Sequence, residues 1–407
     1  VKHVVVVGGG VAGTSAALAA SAAGASVTLL AGGPGASVLA GGAMDLAPWE
    51  DIKTVRDEAA LTEPAVSRVL HDLSELVRVE STAAVVVTLD GILRPTRAVQ
   101  AGLLDLAPLA AGLVLVPRAE HPGWDAAAAA PACNDTTLAH ARGLEFVAVD
   151  ATLTRLVDER FLVHAELAAR HDEPARLEWL AARVKDALAR YVASRVVAVV
   201  VPPWLGVIRA RADELSKAVG LPCGEPLLGP GGPAGLRFEH ARDRALARRK
   251  ITVAAGHAKE IAKDGDGWSV TLERGETLTG ACVVLATGGL VGGGLTYAPS
   301  ASVLAGELPP RARASFASTV EAPVSIGAGG RAIGIPGSLF GESPEALAWP
   351  FASGAPLLER AGVLASSSGH VEGGLYAAGD VVADRPRTWL DALAQGARAG
   401  ATAARSA

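Results

Sequence analysis

The chain has 407 residues, more than one hydrophobic core usually serves, so two lobes are expected. A formal charge of −5 gives no electrostatic case for nucleic acid or for an anionic membrane surface. Cys133, Cys223 and Cys282 are widely spaced with no CxxC pair, which argues against an iron–sulfur or zinc centre inside the chain and suits a reducing compartment.

Residues 4–7 are an apolar β-branched run, the pattern of a strand buried on both faces. Gly8-Gly9-Gly10 ends it, residues 11–23 are Ala-rich with good helix propensity, and residues 26–30 form a second strand. No charged residue occurs from Val4 to Met44, yet eight glycines from Gly8 to Gly35 interrupt the stretch. A buried strand–helix–strand unit explains this better than a signal core or a membrane span. No other stretch approaches the roughly 20 apolar residues a spanning helix needs, so no transmembrane segment is expected.

Further along, residues 58–79 read as helix, 83–89 as strand and Asp90-Gly91 as a tight turn. Residues 91–97 read as a loop after that turn. Residues 112–116, 145–149 and 196–201 read as strands, and 174–194 as a long surface helix. The Pro- and Gly-rich segment 222–235 reads as an irregular crossing between lobes, followed by a basic helix over 236–249. Strands are expected at 251–254, 268–273, 282–286 and 375–377, with turns at Asp266-Gly267 and Arg274-Gly275 and a last Ala-rich helix from Leu390.

Three places carry chemistry. Gly8-x-Gly10-x-x-Gly13 lies between a buried strand and a helix, where glycines permit a tight turn, close approach of a pyrophosphate and close helix packing. The amides of Gly8, Gly10, Val11, Ala12 and Gly13 would then meet phosphate charge at the helix N-terminus. Ala286-Thr287-Gly288 ends a buried strand, as in flavoproteins that contact the nucleotide twice. Gly379-Asp380 follows a strand near the end, where such proteins return a carboxylate to the ribityl and phosphate-linked oxygens. One residue type is missing: the acid that usually takes the ribose hydroxyls at the end of the second strand is here Ala31, followed by Gly32-Gly33. The cofactor is therefore read as FAD, with FMN the alternative, and nothing there favours NADP.

Catalytic signals are thin. Arg94 and Arg97 could present cations to an anionic substrate, while His257 and Lys259 read as structural or solvent-facing. His121 and His370 lie in apparent loops without a spaced partner. No paired metal-ligand spacing and no nucleophile motif is present.

With these motifs, the chain resembles the B subunit of anaerobic glycerol-3-phosphate dehydrogenase, within the glutathione-reductase-like FAD superfamily. The more particular stretches are Gly41-Gly42-Ala43-Met44-Asp45-Leu46, Gly91-Ile92-Leu93-Arg94-Pro95-Thr96, and Val201-Pro202-Pro203-Trp204-Leu205-Gly206 with residues 230–237. Departures are Gly231-Gly232-Pro233, where the family has a Pro-Pro-Ser-like turn, and a C-terminal glycine run thinned to Gln395-Gly396 and Gly400.

The resemblance implies an α/β fold, a Rossmann-like FAD-binding domain of the glutathione-reductase/fumarate-reductase type with an inserted cap or substrate lobe. The cofactor domain is expected over 1–60, 236–300 and 360–407, and the cap over 61–235 and 301–359. Gly41 and Gly42 join the expected cofactor residues. The implied role is a flavin subunit that works beside flavoprotein and iron–sulfur partner subunits, cytoplasmic and peripheral at the inner membrane through them. Two other readings stay open. One is a self-sufficient dehydrogenase or reductase of the fumarate-reductase type using Arg94 and Arg97, and the other a flavin-free scaffold subunit.

Overall fold

The computed structural model describes residues 2–45, 58–191, 194–299, 318–321, 324–328, 331–332, 362–383, 385 and 387–406. The chain forms two compact units. The first comprises Val1–Ser37, Leu46–Asp72 and Ala245–Ala407, the second Val38–Asp45 and Leu73–Arg244. The lobes expected from sequence divided at 60/61 and 235/236 instead, and most of 301–359, assigned there to the cap, lies outside the described residues.

The first unit is built on a six-stranded sheet in the order Thr252–Ala255, Ser26–Ala31, His3–Val7, Cys282–Leu285, Leu375–Ala377, His370–Glu372. The first five strands run parallel, and His370–Glu372 closes the edge antiparallel. Val4, Val5 and Val6 are completely buried, as expected of a strand covered on both faces. Between Thr252–Ala255 and Cys282–Leu285 the chain makes an antiparallel meander of Ala258–Asp264, Gly267–Leu272 and Thr277–Gly280. Its first strand was not anticipated, because AKEIAKD offers one buried apolar residue, Ile261, among charges.

The helix Val11–Ala22 buries every residue from Val11 to Ala20. A helix that is apolar all round needs cover on more than one side. The sheet provides one side and the C-terminal helix Trp389–Ser406 another. An ideal Cβ on Gly396 would lie 2.1 Å from the Ala12 carbonyl oxygen, and one on Gly400 2.1 Å from that of Ala16. The two glycines four residues apart let the backbones touch, and Ser15 Oγ donates to the Leu393 carbonyl at 2.6 Å. The thinned C-terminal glycine run is thus a packing seam.

The second unit contains a parallel sheet of Leu144–Val149, Gly112–Pro117, Val196–Val200 and Cys223–Gly224, and an antiparallel sheet of Ala43–Met44, Leu93–Gln100 and Val77–Val87. Two expectations are corrected here. Residues 58–79 are not one helix: Glu58–Thr62 and Pro64–Asp72 are helical, and the strand begins at Val77. Residues 91–97, expected as a loop, lead into and form part of the strand Leu93–Gln100, which lies between two others. The long helix ends earlier than expected, at Leu188, and buries Leu177, Leu180, Ala181 and Val184.

Glu225 and Arg237 form an enclosed ion pair in this unit, at 2% and 1% side-chain exposure. Arg237 donates to both carboxylate oxygens, at 2.6 and 2.8 Å, and to the carbonyls of Leu205 and Gly206. Such a pair is tolerated in a core because every polar atom finds a partner.

Candidate functional site

The glycine loop lies at the carboxyl end of the central strand. Gly8 has φ +121°, and an ideal Cβ there would lie 2.1 Å from the Ala286 carbonyl oxygen. A Cβ on Gly13 would lie 1.8 Å from the carbonyl oxygen of Gly8. The third role assigned to glycine, close packing of the helix, is thus exerted on the loop itself. Gly10 is different, because a Cβ there would meet only Ser37 Oγ, at 3.3 Å. Ser37 Oγ accepts the Val11 amide at 2.9 Å. The helix has no acidic residue in its first turn and no side-chain cap on Gly10, so its positive end is not neutralised by a carboxylate.

This loop opens on a cleft of about 300 Å³ that runs across the carboxyl ends of the parallel strands within the first unit. Gly8, Gly10, Val11 and Ala12 form its middle, and Ala286, Thr287, Gly288 and Asp380 line it as well. Gly13, Ala31 and Gly379 stand behind the wall. Gly379 has φ +78° and sits where a Cβ would be 2.6 Å from Ala12 Cβ, so the C-terminal return is pressed against the start of the first helix. Burial pushes the Asp380 carboxyl above the ordinary carboxylate range, and Arg387 opposes the shift.

Two residues behind this return were given no site role from the sequence. Gln395 Oε1 accepts the Gly379 amide at 3.1 Å, and Gln395 Nε2 donates to Asp391. Burial raises the Asp391 carboxyl to about 6; Gln395, Arg385 and Arg398 act against the rise and Asp380 adds to it. The i,i+4 spacing on the last helix was the available signal.

The remaining expected residues lie in the second unit. Gly41 packs where a Cβ would be 1.9 Å from the Leu228 carbonyl oxygen, and Gly42, at φ +106°, lies beside Gln100. Leu46, the last residue of that signature, falls outside the described residues. Arg94 is ion-paired with Asp45, whose Oδ1 accepts Thr96 Oγ1 at 2.9 Å. Burial raises the Asp45 carboxyl, while Arg94, Thr96 and the Arg97 backbone restrain it. Arg97 is 9% exposed. Arg94 and Arg97, expected from the sequence to present cations to a substrate from a loop, both stand on the strand Leu93–Gln100.

The cysteines are all buried, with the thiols of Cys133 and Cys223 pushed up to about 12 by burial. Among the described residues no group of three or more His, Cys, Asp or Glu is placed to hold a metal, and no helix is long and apolar enough to cross a membrane.

Residues 3–87 match the family model described as the FAD binding domain. No curated protein matches the chain. Among solved structures, the chain is similar to 3-ketosteroid Δ1-dehydrogenase from Sterolibacterium denitrificans in complex with 1,4-androstadiene-3,17-dione, at 14% identity over all of both chains and a TM-score of 0.39. It is also similar to the Diels-Alderase PyrE3 of pyrroindomycin biosynthesis, at 12% identity over 98% of this chain and 63% of that one, TM-score 0.32. A third is CtdE in complex with FAD, at 10% identity over 70% of this chain and 38% of that one, TM-score 0.24. The chain therefore spans less than two thirds of the length of the last two.

The residues present fit a dinucleotide: a glycine loop, a helix N-terminus with no carboxylate in its first turn and a cleft continuing to both sides of it. The fold is Rossmann-like, and the match of residues 3–87 to the FAD binding domain makes the cofactor FAD rather than the FMN left open by the sequence.

Proposed function

We propose that this chain is the flavin-bearing subunit of a dehydrogenase complex, similar in role to the B subunit of anaerobic glycerol-3-phosphate dehydrogenase, and passes electrons to flavoprotein and iron–sulfur partners. FAD, when bound, supplies hydride or electron transfer at its isoalloxazine ring. The chain's own residues fix where that happens: the glycine loop receives the pyrophosphate, and Thr287, Gly288 and Asp380 line the cleft beyond it.

The observation that carries the subunit reading is an apolar ridge on the second unit. Leu156, Val157, Phe161 and Val163 lie within eight residues and are 51%, 75%, 75% and 60% exposed. Apolar side chains gathered in this way suit a surface covered by another protein. The engagement of Arg94 with Asp45 points the same way, because the self-sufficient reading needed Arg94 to meet substrate.

The test is purification of the native assembly. Co-purification of an iron–sulfur protein, lost in Val157→Asp/Phe161→Asp while FAD is retained, supports the reading. An isolated chain that reduces an artificial dye with its substrate at full rate and recruits no partner overturns it in favour of a self-sufficient dehydrogenase. A chain that never takes up flavin leaves only the scaffold role.

A further inference from the structure

The cleft beside the end of the second strand is lined by His257, Lys259 and Glu273. The second strand ends at Ala31, and Gly32 follows. An ideal Cβ on Gly32 would lie 2.4 Å from Nδ1 of His257 and 2.9 Å from the Gly256 carbonyl oxygen, so His257 closes the position from which a side chain would otherwise grow. His257 comes two residues after the strand Thr252–Ala255, which pairs in parallel with Ser26–Ala31 and sets Ala255 opposite Ala31. The His257 carbonyl accepts the Glu273 amide at 3.0 Å, which ties the end of the strand Gly267–Leu272 to the same corner.

His257, Lys259 and Glu273 all line the cleft and are all solvent-exposed. Among the described residues none of the three makes a side-chain hydrogen bond or ion pair. Among the described residues Glu273 is the one carboxylate on this side of the cleft. Glu273 is held by its amide to His257, whose ring stands against Gly32, so its carboxylate can serve the ligand that an acid at the end of the second strand would serve. A ribose diol offers two hydroxyl donors, and an ionised carboxylate is an acceptor with two oxygens, a match that a lysine or a neutral imidazole cannot make alone.

We propose that Glu273 is the ribose acceptor of this chain. Its carboxylate takes the hydroxyls of the adenosine ribose of FAD, and His257 keeps position 32 free of any side chain. The proposal rests on the FAD reading above and names the residues that hold the adenosine half.

The test titrates the apo chain with FAD, FMN and ADP by calorimetry. Glu273→Ala should weaken FAD and ADP by about tenfold or more and leave FMN unchanged, since FMN has no adenosine. Glu273→Gln should lose less, and Ala31→Glu placed in the Glu273→Ala chain should recover part of the FAD affinity. Glu273 is exposed, and an unchanged far-UV circular dichroism spectrum confirms the fold of each variant. FAD and ADP affinities within twofold of the parent chain in Glu273→Ala would overturn the proposal while leaving FAD binding intact. A loss shared equally by FMN would overturn it too. A parent chain that binds neither flavin would instead sink the FAD reading itself.

Discussion

Gln395 and Gly379 are joined by a hydrogen bond of 3.1 Å in which the side-chain carbonyl of the helix residue accepts the main-chain amide of the turn. Gln395 is 7% exposed and spends its amide nitrogen on Asp391. One side chain therefore couples the left-handed turn before Asp380 to the first turn of the last helix.

Gln395→Leu removes the acceptor and leaves a buried amide unsatisfied, at a cost of about 1–3 kcal/mol in stability. FAD should bind about five- to tenfold more weakly, because Asp380 loses the support of its turn. Urea denaturation and flavin fluorescence titration measure the two effects. Unchanged values in both would show that the turn holds without Gln395.

Asp391 ionises near pH 6, pushed up chiefly by burial, so its charge changes close to neutrality. A group whose folded value is raised favours the folded state most when protonated. Its contribution is complete below the unfolded value near 3.8 and is lost as pH rises through 6. FAD affinity of the parent chain should inflect near pH 6, and the inflection should vanish in Asp391→Asn. An inflection that survives that substitution would assign it elsewhere.

Arg94→Ala leaves the Asp45 carboxylate buried with Thr96 as its remaining side-chain partner. Removing one member of an enclosed pair is expected to destabilise by about 2–4 kcal/mol. Asp45→Asn in the same chain should recover part of the loss, since it removes the stranded charge. Thermal unfolding of the two variants tests this. A raised Michaelis constant with an unchanged melting temperature would return Arg94 to a substrate role.

His171 is completely buried, donates from Nδ1 to the Leu167 carbonyl at 2.8 Å and stacks on Trp204. His164 accepts the indole N–H of Trp204 at 2.9 Å. Burial is the first cause that holds each near 4, against 6.5 for the free side chain. Between those values the unfolded chain binds protons that the folded chain refuses. The stability of the neutral histidines is thus complete above pH 6.5 and lost as pH falls toward 4. The urea midpoint should fall from pH 7 to 4.5, and His171→Phe should remove about 1–3 kcal/mol of that dependence. A slope unchanged by the substitution would acquit His171.

The strand–loop–helix at residues 3–22, the Ala286-Thr287-Gly288 exit and the Gly379-Asp380 return were legible in the sequence. Each depends on local rules: β-branched residues for buried strands, alanine for the helix, glycine where φ is positive or backbones touch. What the sequence left open was decided by pairings across long separations. Leu93–Gln100 became an inner strand because Val77–Val87 and Ala43–Met44 flank it, and this turned Arg94 from a loop cation into the partner of Asp45. Glu273 reaches the nucleotide cleft only because the meander returns beside Gly32, and Gln395 meets Gly379 only because the last helix lies along the first. Local propensity sets the backbone of a short segment. Which side chains meet across it is set by sheet order and helix contact, properties that belong to the whole chain.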